Sequence, residues 1–448
     1  MNPVIFREYD IRGIVDKDLN EEVIYYIGLA YGTVLRSRGL KDVTVGRDGR
    51  LSSSRFQDAL MRGIVDTGCD VTNIGLCPTP VLYFSIFHLE KDGGIQVTGS
   101  HNPPDFNGLK ISIGKETIHG EAIQELRHII EKRAFVSGRG LTSSFDIIPP
   151  YEDYLKKNIH LAPLKVVIDA GNGTGGLIAP GVFRALGCTV KTLYCDVDGT
   201  FPNHFADPTV PENLRDLQRE VITEKADFGV AYDGDADRLG AIDEKGNILY
   251  GDQLLILFSR QILEKNPGAT IIGEVKCSQT LYDDIANHGG RPVMWKAGHS
   301  LIKSKLRQEK ALLAGEMSGH IFFADRYFGF DDAIYASLRL AEIVSQADRP
   351  LSGLLSDVPK TCSTPEIRVP CSDEYKFDVV RRAKEYFQAR YKTIEIDGVR
   401  ILFEDGWGLI RASNTQPVLV LRFEALSEER LAEIKNLVES KVQAFAAG

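Results

Sequence analysis

The sequence predicts an α/β protein in which three similar mixed-sheet α/β domains precede a C-terminal α+β domain, the four arranged around a central cleft. Three observations predict it. A strand–loop–helix–strand unit recurs three times along the chain. Each unit is followed by an apolar run that ends abruptly in a polar motif. The tail then changes to strands joined by tight turns. Strands alternating with helices make βαβ units and parallel pairing, whereas short turn-linked strands make antiparallel sheet.

The first unit reads DVTVGRD (42–48), a polar turn, the amphipathic SSSRFQDALMRGIVDTG (52–68) and CDVTNIG (69–75). The second reads LKVVIDA (164–170), GNGTGG, LIAPGVFRALG (177–187) and CTVKTLYCD (188–196). The third reads ATIIGEV (269–275), a polar turn, SQTLYDDIANHGG (278–290) and RPVMWKAG (291–298). Each helix ends in glycine, which takes the left-handed position after a helix at no steric cost. The runs that follow are GGIQVTGSHN (93–102), FGVAYDGDADR (228–238) and ALLAGEMSGH (311–320). Parallel sheets bind ligands at the carboxyl ends of their strands, so each domain is predicted to offer one motif to a shared cleft. Beyond the polar stretch PKTCSTPEIRVPC (359–371), a helix is expected around 374–390. TIEIDG, VRILFEDG, WGLIRAS and VLVLRFEA then read as antiparallel strands, two of their turns carrying Asp-Gly. A last helix is expected from Ser427, an N-cap followed by Glu428 and Glu429, with Leu431, Ile434, Leu437, Val438 and Val442 on one apolar face. The expected domains are 1–146, 147–248, 249–360 and 361–448.

A chain of 448 residues, 43% hydrophobic and 26% charged, has the composition of a globular protein with sizeable cores. The formal charge is −9 and no basic stretch offsets it, which argues against a nucleic-acid partner. An anionic substrate would need a locally basic site. MNPVIFREYD is charged too early for a secretory signal and LLILF (254–258) is too short to span a bilayer, so no membrane association and a cytoplasmic location are expected. Seven scattered cysteines without a C-x-x-C pair read as reduced thiols.

DGDADR (233–238) is the clearest chemistry. Asp233, Asp235 and Asp237 follow the strand FGVAY, and three carboxylates so close repel one another unless a cation intervenes. Hard oxygen donors of this kind suit Mg²⁺. The rival is an EF-hand, with Glu244 at loop position 12. However, Arg238 stands where that loop needs glycine, and a strand rather than a helix leads in. GNGTGG (171–176) is a formal dinucleotide fingerprint with Asp196 about 25 residues on. Pro180 and Gly181 interrupt the helix that should follow it, so it reads better as a tight turn allowing close approach.

VTGSHNPPDFNGLK (97–110) delivers Ser100 and His101 to a sheet edge. Pro103 and Pro104 stiffen the loop, and Asn107–Gly108 is expected to turn the chain so that Lys110 returns toward the serine. Ser100 reads either as a turn serine or as a phosphoacceptor. GEMSGH (315–320) offers Glu316, Ser318 and His320, groups suited to sugar hydroxyls. RASNTQP (411–417) offers Arg411, Ser413, Asn414 and Thr415, an anion cradle. YDIRG (9–13), with Tyr9 and Arg12, and KAGHS (296–300), with Lys296 and His299, add further loop positions.

Taken together, YDIRG, TGSHNP with Lys110, DGDADR, GEMSGH and RASNTQP resemble, in order and spacing over the whole chain, the α-D-phosphohexomutase superfamily. GEMSGH is similar to the form found in its bacterial phosphomannomutase/phosphoglucomutase branch, whereas phosphoglucosamine mutases usually carry GEQSGH. TGSHNP has glycine where many members have alanine, a difference not expected to matter. The resemblance implies reversible conversion of hexose 1-phosphate to hexose 6-phosphate through phosphoserine and a 1,6-bisphosphate. Ser100 would be the phosphoserine. Asp233, Asp235 and Asp237 would hold Mg²⁺, with Ser100 supplying a phosphoryl oxygen. Lys110 and His320 would handle the proton at the attacking hydroxyl. Arg12, His101 and Arg238 would surround the phosphoserine. Glu316 and Ser318 would grip the 3- and 4-hydroxyls, and Arg411–Thr415 the distant phosphate, with Tyr9, Lys296 and His299 lining the cleft. A mobile fourth domain would close over the substrate. Glucose 1,6-bisphosphate would act as activator, phosphosugars would be the partners, and the chain is expected to be a monomer. The alternatives are a phosphoglucosamine mutase, an NAD-dependent oxidoreductase built on GNGTGG, and a non-catalytic sugar-phosphate binder.

Overall fold

The segment Asp42–Arg47 is buried on both faces along its middle, as expected of a central strand with helices on both faces. In the computed structural model, which describes residues 1–414 and 417–447, it pairs in parallel with Asp70–Leu76 and Gly93–Val97. Phe106–Ile113 then runs back antiparallel to Gly93–Val97, and Ile11–Ile14 runs antiparallel to Phe106–Ile113. The same pattern recurs twice. Lys165–Asp169 pairs in parallel with Thr189–Leu193 and Phe228–Tyr232, and Leu239–Asp243 returns antiparallel to Phe228–Tyr232. Thr270–Glu274 pairs in parallel with Arg291–Trp295 and Leu313–Gly315, and Ile321–Phe323 returns antiparallel to Leu313–Gly315. Each polar motif is therefore the loop of an antiparallel hairpin whose first strand ends a parallel run.

One sequence expectation about the first loop is corrected. Asn107 and Gly108 do not form the turn; both lie within Phe106–Ile113, opposite Gly13 and Arg12. The reversal occurs earlier, around 99–105. Gly108 serves another purpose: a Cβ there would lie 2.2 Å from the Ile11 carbonyl, so glycine lets the edge strand approach. Asn107 turns its amide onto Ser52 Oγ (2.7 Å) and Ser53 Oγ (3.0 Å). Lys110 still returns toward the loop, opposite Gln96 in the ladder.

The first three sheets do not have wholly separate cores. Thr79–His88 is apolar nearly all round and buried, the signature of a helix with partners on every side. Phe84 meets Tyr151 edge-on with ring centroids 5.4 Å apart, and Phe87 meets Phe328 at 4.8 Å. One apolar cluster consequently runs from Ile74 to Leu351.

The fourth sheet is antiparallel, with Lys376–Gln388 and Glu428–Ala447 packed against it. Ser427 caps the last helix by accepting from the Arg430 N–H (3.2 Å), and Leu431, Ile434, Val438 and Val442 are buried. The fourth sheet docks on the third through Trp407, which packs with Val275. The Arg400 guanidinium lies 3.7 Å from the centre of that indole and donates to the carbonyls of Val275 (2.7 Å) and Cys277 (2.9 Å). Among the described residues, no helix is long and apolar enough to cross a membrane.

Removing a buried aromatic costs its transfer energy plus the cavity it leaves. Trp407→Ala is expected to lower stability by about 3–5 kcal/mol in urea unfolding followed by circular dichroism.

Candidate active site

The first hairpin loop places Ser100 in the left-handed region, at φ +48°, which is uncommon for a residue with a side chain. Its N–H donates to Thr98 Oγ1 (2.9 Å), and the Gly99 N–H donates to Asp48 Oδ2 (3.1 Å). Arg50 donates to the Ser100 carbonyl (2.7 Å) and to others in the loop. Held this way, Ser100 Oγ donates to Asp233 Oδ2 at 2.6 Å and lies 3.2 Å from His101 Nδ1.

Asp233 belongs to the second hairpin loop. The N–H groups of Asp237 (3.0 Å) and Arg238 (3.1 Å) donate to its Oδ1 and fold the loop around it. Asp233, Asp235 and Asp237 are all buried, with an oxygen from each within 4.8 Å of the others. Burial, and then the charges of Asp237 and Asp235, push the Asp233 carboxyl well above the usual carboxylate range. Asp235 goes the other way. Burial opposes its charge, but Lys110 Nζ at 2.7 Å and the Thr79 hydroxyl hold it below the usual range. Lys110 also pairs with Asp237, and although burial works against its charge, the two carboxylates keep the ammonium well above its ordinary value. Asp235 Oδ1 and Asp237 Oδ1 are buried without hydrogen-bond partners. Acceptor-only oxygens left in this state, beside a third carboxylate, fit a hard divalent cation such as Mg²⁺. The EF-hand geometry is not formed: Glu244 is turned to Ser352, accepting from its N–H (3.1 Å) and hydroxyl (2.5 Å).

The glycine turn seats this loop. A Cβ at Gly173 would meet the Gly234 carbonyl at 2.8 Å, and the Thr174 N–H donates to that carbonyl (3.0 Å). The face that a dinucleotide phosphate would need is therefore filled by the chain's own backbone, which corrects the oxidoreductase alternative.

In the third hairpin loop, Glu316 Oε1 accepts from the Gly298 N–H (2.6 Å), tying GEMSGH to KAGHS. Ser318 is half-buried in the same turn. His320 Nε2 accepts from Arg238 Nε–H (3.0 Å), and its Nδ1 lies 3.1 Å from Asp331 Oδ2 and 3.6 Å from Asp237 Oδ1. His299 stacks on His320 with centroids 5.6 Å apart, its Nδ1 3.7 Å from Asp331. Lys303 holds the other Asp331 oxygen at 2.9 Å. Burial, aided by Arg238 and Arg12, pushes His101 well below the ordinary histidine range, and burial with Lys303 does the same to His299. Lys296 is exposed and joins none of these hydrogen bonds among the described residues.

The fourth sheet brings Arg411, whose Nε donates to Asp397 Oδ2 (2.9 Å). Asn414 Nδ2 donates to Tyr9 Oη (2.7 Å), and the Tyr9 hydroxyl donates to the Ala297 carbonyl (2.9 Å). Burial pushes the Tyr9 phenol up to about 12. Ser413 is buried and its carbonyl accepts from Lys376 (2.5 Å), while Thr415 lies outside the described residues. Arg12 donates to Asn102 Oδ1 (2.5 Å) and Asp10 Oδ2 (2.5 Å) at the rim of the serine loop. The predicted residues that the structure describes thus come from the edges of four sheets, Lys296 lying exposed on the loop that Tyr9 and Glu316 hold.

Four family models match in chain order. They describe phosphoglucomutase/phosphomannomutase alpha/beta/alpha domain I over residues 3–137, domain II over 149–246, domain III over 250–362 and the C-terminal domain over 366–441. The chain belongs to the phosphoglucomutase/phosphomannomutase family. It is 50% identical over 444 residues to the phosphomannomutase/phosphoglucomutase of Pseudomonas aeruginosa, covering 98% of this chain and 96% of that one. It is 45% identical over 445 residues to the phosphoglucomutase of Neisseria gonorrhoeae, with 98% and 96% covered. A crystal structure of a phosphoglucomutase/phosphomannomutase family protein from Burkholderia thailandensis superposes with a TM-score of 0.95 at 42% identity, covering 100% of this chain and 99% of that one.

Against this family background, five residues missed in the sequence stand out: Asp48 and Arg50 beneath the serine loop, Thr79 on Asp235, and Asp331 with Lys303 behind the histidines. Their common signal is a polar residue within or at the end of a run that is otherwise buried. A Cβ at Gly99 would fall 2.5 Å from Arg50 Nε, so the guanidinium uses the room that glycine leaves here.

The direction of the Asp233 shift has a stability consequence. A carboxyl whose folded value is raised contributes stability that is present at low pH and lost as pH rises through that value. With metal chelated, Asp233→Asn is therefore expected to melt higher than the parent at pH 7.5, and the gap is expected to narrow toward pH 5. Differential scanning fluorimetry across that range checks it, and added Mg²⁺ is expected to raise the melting temperature of the parent more than that of the variant.

Proposed function

We propose that the chain interconverts the 1- and 6-phosphates of glucose and mannose, with Ser100 carrying the phosphoryl group between enzyme and sugar. The observation that carries this reading is the 2.6 Å hydrogen bond from the Ser100 hydroxyl to Asp233, which sets an acceptor for phosphate against a three-carboxylate cation site. A binding protein would have no use for that pairing. The names of the relatives support the same activity, and they disfavour the phosphoglucosamine mutase alternative.

Phosphoryl transfer is mostly positioning plus neutralisation of charge. Mg²⁺, held by Asp233, Asp235 and Asp237, supplies charge neutralisation at the phosphoryl oxygens when bound. The chain's own cations complete the neutralisation: Lys110 is held protonated beside the acids, and Arg12 and Arg238 stand over the serine loop. When a hexose 1-phosphate attacks phosphoserine through its 6-hydroxyl, the bond from phosphorus to Ser100 Oγ breaks and a bond to the sugar oxygen forms. The hydroxyl proton passes to His320 once Arg238, whose Nε–H is held on its Nε2, turns to the phosphoryl group, and Ser100 Oγ takes up a proton in exchange, so the serine ends as a free hydroxyl. Lys110 serves as charge rather than as base. The 1,6-bisphosphate turns in the cleft, and Ser100 takes back the other phosphoryl. A trace of glucose 1,6-bisphosphate activates by loading Ser100 directly.

Both ends of the sugar must be gripped alike. Glu316 and Ser318 bind O3 and O4, which change places about the turn, and the Arg411–Asn414 loop binds the idle phosphate. Glucose and mannose differ only at C2, so a site that reads O3 and O4 accepts both. The fourth domain, which carries this loop, closes over the sugar and excludes water.

The test is ³¹P NMR on glucose 1-phosphate and mannose 1-phosphate in one tube with Mg²⁺ and a trace of glucose 1,6-bisphosphate. Both 6-phosphates are expected to grow in with the parent. Ser100→Ala is expected to cut both rates at least about a thousandfold, as loss of a nucleophile does. Growth of both products with Ser100→Ala would overturn the reading. Glu316→Gln removes a charged hydrogen-bond acceptor, and it is expected to raise KM for both sugars by a similar factor of about ten in steady-state assays.

A further inference from the structure

Arg50 is buried, and among the described residues it makes no hydrogen bond to Glu316, Ser318 or Arg411–Asn414. Its guanidinium donates to four carbonyls of one short loop: Ser100 (2.7 Å), Asn102 (2.5 Å), Pro103 (2.5 Å) and Phe106 (2.9 Å). Asp48 Oδ2, 3.2 Å from Nε, balances its charge. The ring of Phe201, from the second domain, covers the guanidinium 5.1 Å from its centroid. Beside them, a Cβ at Gly234 would lie 2.5 Å from the Ser100 carbonyl, so the acid loop closes on the same group that Arg50 holds.

An arginine spending its donors on four carbonyls is not placed there to bind an anion. What it does is hold a loop whose central residue sits at φ +48°. A non-glycine residue in that region is strained, and it stays there only where its surroundings over-determine it. We propose that Arg50 is the positioning residue for the Ser100 hydroxyl. It locks the loop into the one conformation that aims Oγ at Asp233, and Phe201 makes that lock depend on docking of the second domain against the first. This inference rests on the reading of Ser100 as the phosphoryl carrier. It adds that the aim of the serine is set from beneath, by a residue that never meets substrate.

Arg50→Met removes the donors and keeps the bulk. A displacement of about 1 Å at the reacting group costs about a hundredfold in rate. The expected result is therefore a kcat lower by about a hundredfold, with KM for glucose 1-phosphate within about threefold of the parent, because the groups gripping the sugar lie on other loops. Arg50→Lys, one donor point in place of a fork, is expected to recover part of the loss. Hydrogen exchange is expected to quicken at amides 99–106 and not along Asp42–Arg47. If Arg50→Met does not fold, Phe201→Leu disturbs the same seat from the second domain, and the same criteria apply to it. A folded Arg50→Met with kcat within about threefold of the parent would overturn the proposal, as would exchange quickened throughout the first sheet. Ser100→Ala run alongside separates the two failures: if it turns over, the carrier reading falls; if it is dead while the Arg50 variants are active, only the positioning role falls.

Discussion

A serine hydroxyl and a buried carboxylate meeting at 2.6 Å across the edges of two different sheets is the contact on which the rest of this structure depends. It can exist only if three acids are kept together out of water, which is costly unless their charges are offset. The offsets come from several parts of the chain. Lys110 reaches in from the first sheet, backbone N–H groups of the second hairpin loop surround Asp233, and Thr79 caps Asp235 from the start of a helix. Because the partners belong to different domains, those domains must be docked before the acids can be tolerated. The apolar cluster running from Ile74 to Leu351 provides that docking.

The repeated hairpin explains why the motifs converge. A parallel strand delivers each polar loop to the carboxyl edge, and the antiparallel return strand anchors its far end. A loop pinned at both ends can hold a residue such as Ser100 or Ala236 in the left-handed region, where a free loop would relax. The fourth sheet stands apart in build, with its own core, yet it is stitched to the third by Arg400 and Trp407 and to the first by the Asn414–Tyr9 hydrogen bond. The first contact is broad and buried. The second is, among the described residues, one polar bond between side chains, of the kind that opens and closes cheaply.

Much of this was legible in the sequence, for physical reasons. The repeating order of strand, helix and strand comes from burial on both sheet faces, and burial writes itself into runs such as VVID and TIIG. The acid loop was legible because three carboxylates at alternate positions have few other uses. What escaped was the support. Asp48, Arg50, Thr79, Lys303 and Asp331 act singly, four from the end of a strand or the approach to a helix and Lys303 from within a helix. Nothing nearby marks them, because their partners lie far along the chain. Asn107–Gly108 failed for the opposite reason: it carries a strong local turn signal that tertiary packing overrides, since Gly108 is needed where the edge strand crosses close. The glycine turn at 171–176 likewise matched a nucleotide fingerprint by letter, while its glycines serve to admit the Gly234 backbone.

The central claim is that one serine, aimed at the acid site, carries the phosphoryl group. It is tested most directly by mass spectrometry of the protein after brief exposure to glucose 1,6-bisphosphate with Mg²⁺. The account predicts a single added phosphoryl group, located on Ser100 by peptide fragmentation and removed on a chase with either glucose 6-phosphate or mannose 6-phosphate. A phosphoryl group on another residue, or none on a protein that nonetheless turns over both sugars, would contradict it.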